Sequence, residues 1–224
     1  MKGRALLGCR VRSGRAAAIL LAYPADNSRL LDSREFSLAD PDDNSTIQPY
    51  HADFGTLEVD QARIAPRVRA ITRAAQASVK EALAAWHSRR LQVTVAALVV
   101  GSLIDPHTIR HPHMRGHGLE GQLFRTVLAD ALRSRGIPST FFSDRDIYQR
   151  AAAALGLSAQ ALRRLVSALR DADKPWSADH RLAVAGALLA SSSNAPTITL
   201  WRFRRIPRCA RQHHRIGMVL PGCR

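Results

Sequence analysis

The chain has 224 residues, 46% of them hydrophobic, with 33 Lys plus Arg against 18 Asp plus Glu and a formal charge of +15. That apolar content suffices for one packed domain with an appendage and excludes wholesale disorder. The longest apolar runs, Ala16–Tyr23 and Val93–Ile104, are strand-sized and fall short of the ~18 residues of a membrane span.

In chain order, Ala5–Arg12 and Arg15–Tyr23 read as strands joined by a Ser13-Gly14 hairpin turn. Arg29–Leu38 alternates as a third strand, after the turn residues Pro24–Ser28. A polar loop, Ala39–Ile47, leads to Gln48-Pro49-Tyr50-His51. From about Leu57 to Arg89, Ile64, Val68, Ile71, Ala75, Val79, Leu83 and Trp86 recur at helical spacing. Pro66 fits that helix only if a new one starts near it. Val93–Ile104 is almost continuously apolar and reads as a strand buried on both faces. A helix follows from Pro112 to Arg135, ended by Gly136. Ser139–Phe142 is a short strand, and Asp144–Leu155, Ser158–Asp171 and Ser177–Ala190 are helices. The expected fold is α/β: a mixed five-stranded sheet in the order β-β-β-α-β-α-β-α, with further helices at the C-terminal end.

The chemistry concentrates in Asp105–Gly121, DPHTIRHPHMRGHGLEG. His113, His117 and Glu120 stand at i, i+4 and i+7 and so share one helix face. Two imidazoles one turn apart chelate a divalent ion such as Mg, Mn or Zn, with the carboxylate as a third ligand or an orienting group. The same trio suits acid–base work, with His117 and Glu120 as the acting groups. A structural reading stands beside these. Gly116, Gly118 and Gly121 thin the helix for close approach of another backbone, across which the histidines would hydrogen-bond. Asp105 lies at the carboxyl end of a central strand, where open α/β sheets place ligands. Tyr50 and His51 follow a proline and are expected to face the same cleft, with Gln48 beside them. Arg115 and Arg125 flank the constellation and suit an anion. His107 and His111 read as loop residues, and Trp176 as a packing anchor.

The charge is unevenly spread. From His180 onward there is no acid, and eight arginines lie there. Residues 191–224 therefore read as a loosely ordered basic tail after a domain spanning 1–190. Aromatics among its arginines suit nucleic acid, whereas Cys209, His213, His214 and Cys223 match no zinc-module spacing. Only three lysines occur, so an arginine-rich base composition also accounts for part of the charge. Arg12 and Arg15 before Ala16–Ala22 resemble a secretion signal, but no small-residue cleavage site follows. Three cysteines form no disulfide framework, and a reducing cytoplasm fits them.

The element order resembles the ribonuclease H-like fold of nucleases, resolvases and sugar-kinase or actin-type ATPases. More narrowly, QPYH at Gln48–His51, HxxxHxxEG at His113–Gly121 and PWSADH at Pro175–His180 resemble a bacterial family with that fold. For a nuclease member, the resemblance implies carboxylates in the middle of the first strand, near the first helix or the fourth strand, and in the last helix, holding two metals. Asp105 and Asp179 match the latter two places, and Asp179 is also a fitting helix cap. The first strand contains no acid. For an ATPase member, the resemblance implies a phosphate-gripping first hairpin; Val11–Arg15 offers one glycine and two arginines there.

Two functions are expected from these residues. One is a metal-assisted phosphodiester or phosphate-ester hydrolase using His117, Glu120, His51 and Asp105, with His113, His117, Glu120 and Asp179 as ligands. The other is a non-catalytic module for nucleic acid or protein that has lost the nuclease carboxylates.

Overall fold

The computed structural model describes residues 3–23, 29–52 and 55–191. The expected turn Pro24–Ser28 and the basic tail beyond Ser191 lie outside the described residues.

Five strands, β1 (Gly3–Arg12), β2 (Arg15–Ala22), β3 (Leu30–Ser37), β4 (Leu91–Val100) and β5 (Ser139–Ser143), form one sheet in the order β3-β2-β1-β4-β5. β1–β2 and β2–β3 are antiparallel, while β1–β4 and β4–β5 are parallel. The mixed five-stranded sheet expected from the element order is present. Parallel neighbours need crossover helices, and α1 (Gln61–Ser88) and α2 (Pro112–Arg133) supply them on one face. On the other face lie α3 (Ile147–Ala154), α4 (Ala159–Ala168) and α5 (Ala178–Ser191).

The two-residue period of β1 divides its side chains between two cores. Ala5, Leu7, Cys9 and Val11 join the core under α1 and α2, with Ile71, Trp86, Phe124 and Leu128. Leu6 joins the core under α3–α5, with Ala183, Val184 and Leu188. Gly8 lies between Leu6 and Arg10 on that second face. A β-carbon there would stand 2.0 Å from the Ala183 carbonyl oxygen, and one at Gly186 would stand 2.5 Å from Val99. Two glycines thus let α5 rest directly on the central strands.

The end of β4 and the start of α1 differ from the expectation, as does the place of Pro66. β4 ends at Val100, and Leu103 and Ile104 are exposed. Their backbone has no ladder to join, because the last pairs of β4 are Val99 with Arg10 of β1 and Val100 with Ser143 of β5. α1 begins at Gln61, where Asp60 accepts a hydrogen bond from the Ala62 amide, because Leu57 is held in a bridge with His51. Pro66 sits inside that helix without ending it. It forfeits one amide bond in the second turn while Ile64, Ile71 and Ala75 stay buried.

Gly8→Ala is expected to destabilise the protein by about 3 kcal/mol or more, since neither backbone has room to retreat. Gly121→Ala meets nothing within 4 Å and is expected to stabilise α2 by roughly 0.5–1 kcal/mol. Urea midpoints of the two variants check this pair, and equal effects would contradict the packing.

Candidate functional site

The loop 48–57 is pinned from two sides. Arg67 on α1 donates to the Pro49 and His51 carbonyls (3.1 and 3.4 Å), and the Tyr50 carbonyl accepts from the Glu58 amide (2.9 Å). His51 is thereby set against α2. It fits because residue 116 is glycine: a β-carbon there would lie 2.9 Å from the His51 ring. Gly118 makes similar room for Ile109 and Pro106, whereas Gly121 faces open space and makes room for no backbone.

Glu120, 1% exposed, sits behind the histidines. His51 Nδ1–H donates to its Oε1 (2.7 Å) and His117 Nδ1–H to its Oε2 (3.2 Å). His113 Nδ1–H donates to the Gly55 carbonyl (2.8 Å). Every Nδ1 is therefore committed to an oxygen acceptor, and Nε2 is the free nitrogen on each ring. His51 Nε2 is buried with no hydrogen-bond partner among the described residues. His113 and His117 Nε2 stand 3.2 Å apart, and one ring nitrogen of each of the three histidines lies within 4.8 Å of the others.

At that distance the two nitrogens share a hydrogen bond or a metal ion. The edge of a tetrahedron with metal–nitrogen bonds of about 2.0–2.1 Å is about 3.3 Å, close to the observed separation. Three imidazoles with oriented Nδ1 groups fit one borderline ion with an open fourth position. They do not fit a pair of magnesium ions, which take oxygen ligands.

Of the residues expected as ligands, His113 and His117 are brought together with His51, while both oxygens of Glu120 are engaged by ring N–H groups. Asp179 is elsewhere: Arg12 grips it through two 2.8 Å bonds, and Arg15 approaches to 4.0 Å. Asp105 is exposed and caps a single turn, Pro106–Thr108, by accepting from the His107 amide (3.0 Å). Gln48 has an exposed side chain, and its carbonyl accepts from the His51 amide (3.0 Å). Tyr50 is half-buried, and burial together with the nearby Glu120 charge raises its phenol above the ordinary range. Arg115 donates to the Ile109 carbonyl (2.8 Å) and Arg125 to the Ser102 carbonyl (2.9 Å).

Beside the histidines, a cleft of about 510 Å3 opens at the carboxyl ends of β1 and β4. Arg10, Arg12, Arg15 and Arg125 line it, His117 stands at its border, and no carboxylate is among its lining residues. Behind the wall, Arg10 pairs with Asp144 at 2.5 Å. Arg10 and Asp144 carried no weight in the sequence reading. The available signal was an arginine set between Cys9 and Val11 in the first strand.

No family profile matches the chain, and no curated protein matches it in sequence. Among solved structures, it is similar to the Thermus thermophilus RuvC in complex with Holliday junction substrate, with a TM-score of 0.50 and 16% identity over 84% of this chain and 93% of that one. A second structure of Thermus thermophilus RuvC gives a TM-score of 0.50 and 14% identity over the same shares. This likeness shows the fold. The chain has the ribonuclease H-like fold.

The Arg12 hydrogen bonds hold the Asp179 carboxyl below its ordinary range, against the opposing effect of burial, and the charges of Arg12, Arg10 and Arg15 add to this. The native state therefore takes up this proton less readily than the unfolded chain, where aspartate titrates near about 3.9. The stabilisation is complete above that value and is lost as pH falls below it. Denaturation midpoints between pH 6 and pH 3 should fall more for the parent than for Asp179→Asn. Parallel curves would contradict the ion pair.

Proposed function

We propose that this chain is a metal-assisted phosphoester hydrolase, nuclease-like in fold, that works with one ion at His51, His113 and His117. The observation that supports this reading is the engagement of all three Nδ1 groups by oxygen atoms together with ring nitrogens of His51, His113 and His117 within 4.8 Å of one another, at the border of an arginine-lined cleft. A divalent ion held there supplies Lewis-acid polarisation of a phosphoryl oxygen and an activated water near neutral pH.

The remaining roles belong to the chain's own side chains. Glu120 fixes the tautomers of His51 and His117 and raises their basicity as ligands. The Gly55 carbonyl does the same for His113. The arginines of the cleft place and neutralise the anionic ester. Asp105 and Asp179 have no part in this reading, since each is engaged in a local contact. A nucleic-acid phosphodiester is one substrate that fits, and the similar RuvC structure holds Holliday junction substrate. The buried free thiol of Cys9 suits a reducing compartment such as the cytoplasm. Among the described residues no helix is long and apolar enough to cross a membrane.

One zinc or manganese ion per chain is expected by elemental analysis after loading and desalting. His117→Ala should abolish that stoichiometry, and Glu120→Gln should weaken zinc affinity by roughly 10–100-fold. Hydrolysis of a chromogenic phosphodiester or phosphomonoester should require the ion and disappear in His117→Ala. A loaded protein inert on both esters, DNA and RNA would overturn the enzyme reading and leave a binding module. A chain that takes up no ion would overturn the metal centre itself.

A further inference from the structure

Four guanidiniums line the cleft beside the histidines; Arg10 pairs with Asp144, Arg12 with Asp179 and Arg15 with Glu35, which leaves the buried Arg125 as the cation without a counter-charge among the described residues. Arg125 is 7% exposed and Arg10 4%. Arg125 has no ion-pair partner among the described residues; its recorded hydrogen bond is to the Ser102 carbonyl, a neutral acceptor. Arg10 spends Nη2 on Asp144 and Nη1 on the Val11 carbonyl (2.6 Å), while its Nε is buried with no partner. Burying a guanidinium without a counter-charge is costly, and the cost falls when an anion enters. Burial lowers the proton affinity of both groups, as expected of cations that lack full compensation.

The surroundings fit such an anion. Arg12 and Arg15 stand across the cleft, paired with Asp179 and Glu35 outside it, and no carboxylate is among the lining residues. Gly121 leaves its floor open, with nothing within 4 Å of where a side chain would start. His117 belongs both to this wall and to the three-histidine group. An anion seated among the arginines is therefore adjacent to the place where the three ring nitrogens converge.

We infer that Arg125 and Arg10 form the floor of a phosphate-binding site, with Arg12 and Arg15 at its rim, and that the ligand is a phosphate ester presenting its phosphate to the side of His117. The inference rests on the reading above only for the position of the reacting bond. Phosphate binding itself needs no metal, and so it stands or falls separately. The arrangement inverts the charge of a carboxylate site: the fold's strand ends here receive an anion directly through guanidinium groups.

The test is calorimetric titration of the full chain, in chelator and again with one equivalent of zinc, using inorganic phosphate, adenosine monophosphate and a six-nucleotide single-stranded DNA. At least one is expected to bind in chelator, with affinity falling as salt rises. Arg125→Met keeps the volume and removes the charge, and should weaken binding by at least about tenfold. Gly121→Leu fills open space without touching the fold and should weaken it comparably. A tighter oligonucleotide would identify a chain phosphodiester as the ligand, and equal affinity a terminal phosphate; either supports the site. No binding of any of the three, or affinity unchanged in both variants, would overturn it. Phosphate binding that persists in a chain unable to hold zinc would overturn only the metal reading.

Discussion

The buried Glu120 carboxylate is the interaction on which the functional region depends. A carboxylate at 1% exposure is tolerable only if its oxygens are satisfied, and here both are satisfied by imidazole N–H groups. One of these comes from the same turn of α2 and the other from a loop 69 residues earlier in the chain. The carboxylate therefore fastens the 48–57 loop to the helix and fixes two tautomers at once. Gly116 makes the contact possible, and Arg67 holds the loop from α1 so that His51 reaches it. Removing the carboxylate leaves two rings without orientation, and removing either ring leaves a buried oxygen without its donor.

The second constraint lies across the sheet. Close approach of α5 at Gly8 and Gly186 carries Asp179 to the end of β1, where Arg12 meets it. Strand alternation points Arg10 to the same face, toward Asp144 at the end of β5. Both carboxylates near the strand ends are thus consumed by arginines. The side chains that line the cleft are then arginines with no carboxylate among them, and the three histidines stand at its border on α2 and the preceding loop.

The overall architecture was legible because it rests on periodicity and element order. The alternation of β3, the helical stripe of α1 and the continuous run of β4 each report their own packing face. The spacing of His113, His117 and Glu120 was equally local, since three residues on one helix face can be read from i, i+4 and i+7. Their roles were not legible. Whether Glu120 ligates or orients depends on His51, and that contact spans 69 residues with only a Tyr-His pair after a proline to announce it. Asp179 looked like a ligand because its place in the last helix is right, but its partner sits on β1. Arg10 is buried and paired with Asp144, 134 residues later in the chain, a contact that no local pattern in the first strand announces.

X-ray absorption at the zinc edge of the singly loaded full chain measures the claim most directly. The account predicts three histidine nitrogens and one light-atom ligand at about 2.0–2.1 Å, with one histidine fewer in His51→Ala. A first shell of oxygens alone, a sulfur ligand, or a histidine count unchanged in His51→Ala would contradict it.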